Sequence, residues 1–346
     1  MSLLESLRDH THVVISGSGT RAAFLYGLFE YLTNLTQWES IFPTIRGAAG
    51  VSSGCLIALA LLTGADFVAI CDAVTELTKR HASIAPSLDI HLAVDAFGLD
   101  DGSVLLDTID TLMCVMGLSA STTFGSLHRL TQKDYRICAT NVHSMTPMYF
   151  SHATTPQMTI RDAIYMSMTL PFVFKPRRWM GELYVDGGVL ENFPTDIFGS
   201  DVVPLVIHMA WAHSGTPTSL RGFACSMATA TLYVQYKQLQ IWKESHPLSV
   251  WGIDDGGIGD ALSLDSDPEY IARMRRRGHI RGMLSERWDL NRFVKWIMFL
   301  SLVQNDVQME DRCGLDDCEN DGRAVTAPHD DDDQKRLSTG HECDDD

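Results

Sequence analysis

The chain has 346 residues, 45% of them apolar, and a formal net charge of −17. That is ample for a sizeable core in one large or two modest domains. Residues 305–346 hold fifteen Asp/Glu and four Lys/Arg, −11 of the total, so the body is only mildly acidic and nothing favours nucleic acid as a partner.

Residues 1–11 read as an N-terminal lead. They lack the apolar stretch of a signal peptide, and no run in the chain approaches the ~20 apolar residues of a membrane span. The expectation is a cytoplasmic protein, soluble or peripheral on membranes. Residues 12–15 form a short β-branched strand ending in Ser16-Gly17-Ser18-Gly19-Thr20-Arg21. A helix follows over 22–35, with Phe24, Leu25, Leu28, Tyr31, Leu32 and Leu35 at helical spacing. After Pro43, residues 45–49 read as a strand, then Gly50-Val51-Ser52-Ser53-Gly54, then helices over 54–62 and 66–80. The stretch 82–121, rich in Asp, Gly and Ser, suits a lid or insertion.

Further on, 124–131 reads as a helix, 135–139 and 148–151 as strands, and 160–170 as a helix stopped by Pro171. A strand over 183–185 ends in Asp186-Gly187-Gly188, and another strand (202–209) precedes a long helix over 224–242. Strands alternating with helices predict an α/β fold around a mostly parallel sheet flanked by helices. The core spans 12–210, and 211–304 is a helical part of the same domain. Between Tyr270 and Trp296 eight Lys/Arg stand against Glu286 and Asp289, with aromatic residues among and just after them. That segment reads either as a membrane-docking surface or as a solvated helix whose aromatics close the core. Residues 305–346 read as an acidic disordered tail. The eight cysteines show no CxxC pair and no zinc-ligand spacing, which fits reduced thiols.

Three places could carry chemistry. A Gly-x-Ser-x-Gly at a strand-to-helix junction is a nucleophile elbow: Gly50 and Gly54 keep the corner small and Ser52 stands exposed on it. The loop Gly17-Ser18-Gly19 offers backbone N–H groups at a helix N-terminus. It suits an oxyanion hole, a dinucleotide-binding turn or a tight packing turn. Asp186 ends a strand before Gly187 and Gly188, so its carboxylate could accept the Ser52 proton, or simply cap an Asx-turn. His208 and His213 keep a Ser-Asp-His triad open.

In order and rough spacing these motifs resemble the patatin-like phospholipase family. They are Gly17 to Ala22, Gly50 to Gly54, Ser167-Met168-Thr169-Leu170-Pro171-Phe172-Val173-Phe174-Lys175-Pro176, and Asp186-Gly187-Gly188-Val189-Leu190-Glu191-Asn192-Phe193-Pro194. The resemblance covers about 12–209 and implies a three-layer patatin-like sandwich. It implies a Ser52-Asp186 dyad, an oxyanion hole from Gly17, Ser18 and Gly19, and a supporting role for Arg21. It further implies calcium-independent hydrolysis of acyl lipids at a membrane surface, with no cofactor and no metal. A triacylglycerol lipase, a thioesterase or a catalytically silent lipid-binding protein is the alternative. Ser18 stands where the family usually has glycine, so a left-handed backbone there would strain the loop.

Overall fold

In the computed structural model, which describes residues 2–82, 97–210, 220–253 and 267–286, the strands are short runs bounded by turns. They are β1 His12–Ile15, β2 Gly47–Val51, β3 Gly98–Asp100, β4 Asp134–Asn141 and β5 Thr146–Ser151, then β6 Phe172–Phe174, β7 Arg177–Trp179, β8 Glu182–Asp186, β9 Leu205–Met209 and β10 Val250–Ile253. The helices are α1 Leu3–Asp9, α2 Ala22–Thr33, α3 Trp38–Ile41, α4 Gly54–Thr63 and α5 Phe67–Ala82, followed by α6 Ser103–Val115, α7 Phe124–Thr131, α8 Ile160–Met168, α9 Leu220–Ser245 and α10 Pro268–Glu286.

Strands β10, β9, β1, β2 and β4 lie side by side and parallel; β5 and β8 pair antiparallel with β4, and β7 with β8. Strands β3 and β6 form a separate parallel pair. Alternation along the strands feeds two cores. Val13, Ile15, Leu205 and Ile207 join the larger apolar cluster, with α2, α4 and α5. Val14, Ala49, Val51 and Val206 join a second one, with Phe193, Ile197, Phe198 and Leu239. Helix α4 is apolar on every side and buried along its length, as a helix facing no solvent must be. It stops at Gly64, whose φ of 69° is the left-handed C-cap that glycine accepts. The α/β sheet flanked by helices is the expected architecture.

The structure departs from the sequence pattern in three places. The N-terminal lead is part of the core: Ser2 and Glu5 form a capping box, and Leu3, Leu4 and Leu7 are buried. In the stretch expected as a lid, α6 instead buries Leu105, Ile109, Leu112 and Met113 and packs on α5 and α8. Residues 83–96 of that stretch lie outside the described residues. Helix α10 packs backbone to backbone on α2, because a Cβ on Gly278 would strike the Phe24 carbonyl and one on Gly27 the Arg275 carbonyl. Two arginines of the described part of the basic segment are thereby turned inward. Arg275 bonds Glu30 at 2.9 Å and Asp72 at 3.1 Å, and Arg277 is buried. The aromatic remainder of that segment and the acidic tail lie outside the described residues, as does His213.

Candidate active site

Strand β4 explains how two distant segments meet. Strand β5 pairs with it from Arg136 to Asn141 and so takes one of its edges. The other edge is shared: β2 holds it up to Cys138, opposite Val51, and antiparallel β8 holds it from Asn141 down to Ala139, opposite Asp186. The two strands approach head to head along one edge, and their chain ends, Ser52 and Asp186, converge. Only glycine fits at the junction, since a Cβ on Gly187 would strike the Cys138 carbonyl and come within 3.0 Å of the Val51 side chain.

Ser52 has φ 52°, a left-handed corner that a non-glycine residue adopts at a cost. Its neighbours enforce that corner. A Cβ on Gly50 would strike the Cys55 backbone, and one on Gly54 the carbonyl of Ile15. The Ser52 N–H donates to Ser167 Oγ at 2.8 Å, and that hydroxyl donates to the Cys138 carbonyl at 2.6 Å. The Ser52 backbone is thereby fixed to β4.

Asp186 is fully buried. Its Oδ1 accepts the Gly188 N–H at 2.8 Å, while Oδ2 has no partner of good hydrogen-bond geometry. Burial pushes its carboxyl up to about 6, partly offset by hydrogen bonding from Ser52 and from the Gly188 N–H. A carboxylate beside a serine hydroxyl, with one oxygen uncommitted and a pKa near neutrality, suits a general base.

The glycine loop is braced from three sides. Gly17 N–H donates to Asn192 Oδ1 at 2.9 Å, and Asn192 Nδ2 donates back to the Gly17 carbonyl at 3.2 Å. Ser18 N–H donates to Ser53 Oγ at 3.1 Å. Arg21 is buried and donates to the Ala210 carbonyl at 2.8 Å, joining the loop to the end of β9. Gly17 lies so close to the elbow that a Cβ there would come within 2.9 Å of Ser52 Cβ. Of the three expected oxyanion donors, Gly17 and Ser18 direct their N–H groups at side chains. Among the described residues no group accepts the Gly19 N–H, which opens the turn leading into α2. The left-handed position falls on Gly19, φ 56°, and Ser18 has φ −143°, so the serine in this loop avoids the left-handed region.

His208 is buried in β9 between Phe193 and Tyr236, with Nδ1 against the Met209 carbonyl at 3.1 Å. Burial lowers its pKa to about 4, so it is a neutral core residue. Sequence reasoning gave no role to Ser53, Ser167, Asn192 or Gln235. The Gln235 side chain on α9 accepts the Asn192 N–H at 2.5 Å and donates to the Gly188 carbonyl at 3.0 Å. Ser53, Ser167 and Asn192 lie within the family motifs; Gln235 gives no local signal. Among the described residues no three His, Cys, Asp or Glu side chains are grouped to hold a metal ion. Cys55, Cys71, Cys114 and Cys138 are free thiols. No helix among the described residues is long and apolar enough to cross a membrane.

The chain is 29% identical over 284 residues to "Probable lipid hydrolase 463L" of Invertebrate iridescent virus 6, covering 81% of this chain and 90% of that protein. It is 27% identical over 158 residues to an uncharacterized protein of Acanthamoeba polyphaga mimivirus, covering 46% of this chain and 52% of the relative. Among solved structures, VipD from Legionella pneumophila aligns over 80% of this chain and 66% of its own, at 17% identity and a TM-score of 0.47. ExoU of Pseudomonas aeruginosa, in its complex with SpcU, aligns over 80% of this chain and 51% of its own, at 17% identity and a TM-score of 0.39. The chain thus spans less than two thirds of these solved chains. A family model described as patatin-like phospholipase matches residues 13–198, more than half of the sequence, and the chain belongs to that family.

Proposed function

We propose that this protein hydrolyses fatty-acyl esters of phospholipids through Ser52 and Asp186, by way of an acyl-enzyme and without calcium. Membership of the patatin-like phospholipase family supports lipid ester hydrolysis as the activity, and the name of the viral relative points the same way. The observation that carries the finer reading is the head-to-head meeting of β2 and β8 on one edge of β4, which brings the Ser52 hydroxyl beside a buried carboxylate with an uncommitted oxygen.

Asp186 takes the hydroxyl proton as Ser52 Oγ attacks the ester carbonyl. The carbonyl oxygen gathers negative charge and is held by the Gly19 N–H at the N-terminus of α2. The Ser18 N–H joins it when the Ser53 hydroxyl turns aside. One such donor lowers the barrier by about 3–4 kcal/mol. As the tetrahedral species collapses, the ester C–O bond breaks and the leaving alkoxide takes the proton from Asp186. Water then attacks the acyl-enzyme with Asp186 again as base, the C–Oγ bond breaks, and Ser52 regains its proton.

The test is fatty-acid release from phospholipid vesicles in the presence of chelator, comparing wild type with Ser52→Ala and Asp186→Asn. Release by the wild type alone is expected, each variant losing about 10⁴-fold or more. Full activity in folded Ser52→Ala protein sinks the dyad. Absence of release from all three leaves a lipid-binding protein in the shape of an enzyme.

A further inference from the structure

Among the described residues, the non-glycine positions with a left-handed backbone are Ser52, Phe97, Gln132, Met145, Phe172 and Met180. Ser52 is the elbow. Four of the other five are large apolar side chains, and all four are exposed: Phe97 at 55%, Met145 at 67%, Phe172 at 79% and Met180 at 81%. Turns of this kind ordinarily take glycine, asparagine or aspartate. A bulky residue is strained there, and its exposed apolar surface gains nothing from folding. Two costs thus coincide at the same positions.

The sheet register puts the Met145 and Met180 turns on one rim, and the chain between Thr169 and Arg177 carries Phe172 close to it. Strand β4 reaches the level of Asp186 at Ala139 and runs on to Asn141, so the exposed turn 142–145 stands beyond the catalytic pair. Strand β8 descends to Asp186, so its earlier residues also lie beyond it, and the β7–β8 turn at Met180 and Gly181 lies farther out still. Phe172 falls between Thr169, whose carbonyl accepts the Asp186 N–H at 2.8 Å, and Arg177, which pairs with Tyr184. Gly98 pairs with Phe172 and brings Phe97 alongside. Residues 172–182 carry three basic side chains and one acidic one, in a chain whose net charge is −17. Lys175 and Arg178 are exposed; Arg177 bonds Asp162 at 2.7 Å, and Asp100 and Asp101 lie beside Lys175.

We propose that this rim, with the Met145 and Met180 turns as its tips and Phe172 between, docks on the surface of an anionic phospholipid bilayer. The proposal rests on the lipid-hydrolase reading and gives it a direction of approach. The apolar tips enter the acyl boundary while Lys175 and Arg178 meet lipid phosphates. Ser52 and Asp186, on the same edge of the sheet, then face the lipid. The described part of the basic segment in α10 does not supply this surface, because it packs on α2 and Arg275 is bonded to Glu30 and Asp72.

The full-length Ser52→Ala protein tests docking apart from turnover. It is expected to co-sediment with mixed phosphatidylcholine–phosphatidylserine vesicles, and less with phosphatidylcholine alone. Adding Met145→Asn and Met180→Asn, residues that left-handed turns accept, lowers binding about tenfold or more with no fall in melting temperature. With Ser52 intact, the same two substitutions leave hydrolysis of a monomeric short-chain ester unchanged and depress vesicle hydrolysis by the same factor. Lys175→Glu with Arg178→Glu removes the preference for phosphatidylserine. Undiminished vesicle binding by the Asn variants overturns the proposal. So does a Ser52→Ala protein that binds neither vesicle, which assigns the tips to a protein partner instead. Vesicle binding through the tips by a protein inactive on the short-chain ester supports the docking surface and removes the catalytic reading.

Discussion

Two charged regions of this molecule, one half-buried and one fully buried, are handled in opposite ways. Between α2 and α10, Arg275 is bonded to Glu30 through two nitrogens at 2.9 Å and to Asp72 at 3.1 Å. Burial alone would push the Glu30 carboxyl up, but its hydrogen bonds from Arg275 and that residue's charge outweigh burial and hold it below the usual range. At the meeting of β2 and β8, no cation among the described residues pairs with Asp186. Its carboxyl has the Gly188 N–H on Oδ1 and a hydrogen bond from the Ser52 hydroxyl to set against burial. Its carboxyl is raised to about 6. A half-buried charge that is paired stays charged and holds helices together. A buried carboxylate left short of partners is poised to take a proton.

The largest effects belong to Asp186→Asn. Its activity falls about 10⁴-fold while its stability rises, which breaks any account of Asp186 as a structural cap. The folded protein holds this proton up to about 6, against an ordinary carboxyl value of 3.8. The protonated form therefore contributes stability that is full below about pH 4 and is lost as pH rises through about 6. At pH 7 the wild type carries the whole penalty, about 3 kcal/mol. Chemical denaturation should show the Asn variant more stable by about that amount at neutral pH, with the difference gone near pH 4. The wild-type rate on a soluble ester should rise with pH through about 6 and then level off. A flat stability difference across this range would mean that Asp186 is ionised freely and is no poised base.

The paired region makes the opposite prediction. Arg275→Ala strands the Glu30 carboxylate and is expected to cost about 2–3 kcal/mol in urea denaturation. Activity per folded molecule on a soluble ester should stay within about twofold, because this pairing lies outside the crease that holds Ser52 and Asp186. Loss of rate without loss of stability would erase the distinction between the two regions.

What was legible in the sequence is what steric necessity writes locally. Gly50, Gly54 and Gly187 are glycines because a Cβ at each would strike backbone, so the elbow and the strand end before the turn can be read from a few consecutive residues. The hydrogen bonds that aim those groups span 35 to 175 residues, from Ser53 to Ser18, from Ser167 to Ser52 and from Asn192 to Gly17, and they leave no local period. For the same reason the arginines of α10 read as a candidate docking face: their charge is visible, but Glu30 stands 245 residues away. Helix α6 does carry a helical apolar spacing, Leu105, Ile109, Leu112 and Met113, but the Asp-, Gly- and Ser-rich residues around it mask that period. Strands β6 and β7 have three residues each, too short for alternation to show. The loop serine misled in the other direction, since the left-handed conformation feared at Ser18 falls on Gly19.

The smallest effect separates the two regions most finely. Gln235 touches neither charge, yet it ties α9 to the turn that follows Asp186, through Asn192 N–H and the Gly188 carbonyl. Gly188 in turn donates to Asp186 Oδ1, and Asn192 holds Gly17. Gln235→Leu leaves those two backbone groups unsatisfied and should cost about 1 kcal/mol of stability. Because it loosens the base and the glycine loop together, kcat on a soluble ester should fall about tenfold, equivalent to about 1.4 kcal/mol, with KM nearly unchanged. Gln235→Glu keeps the acceptor for the Asn192 N–H and should recover part of that loss. An equal fall in stability with no change in kcat would make Gln235 a packing residue, and the crease would then owe its geometry to β4 alone.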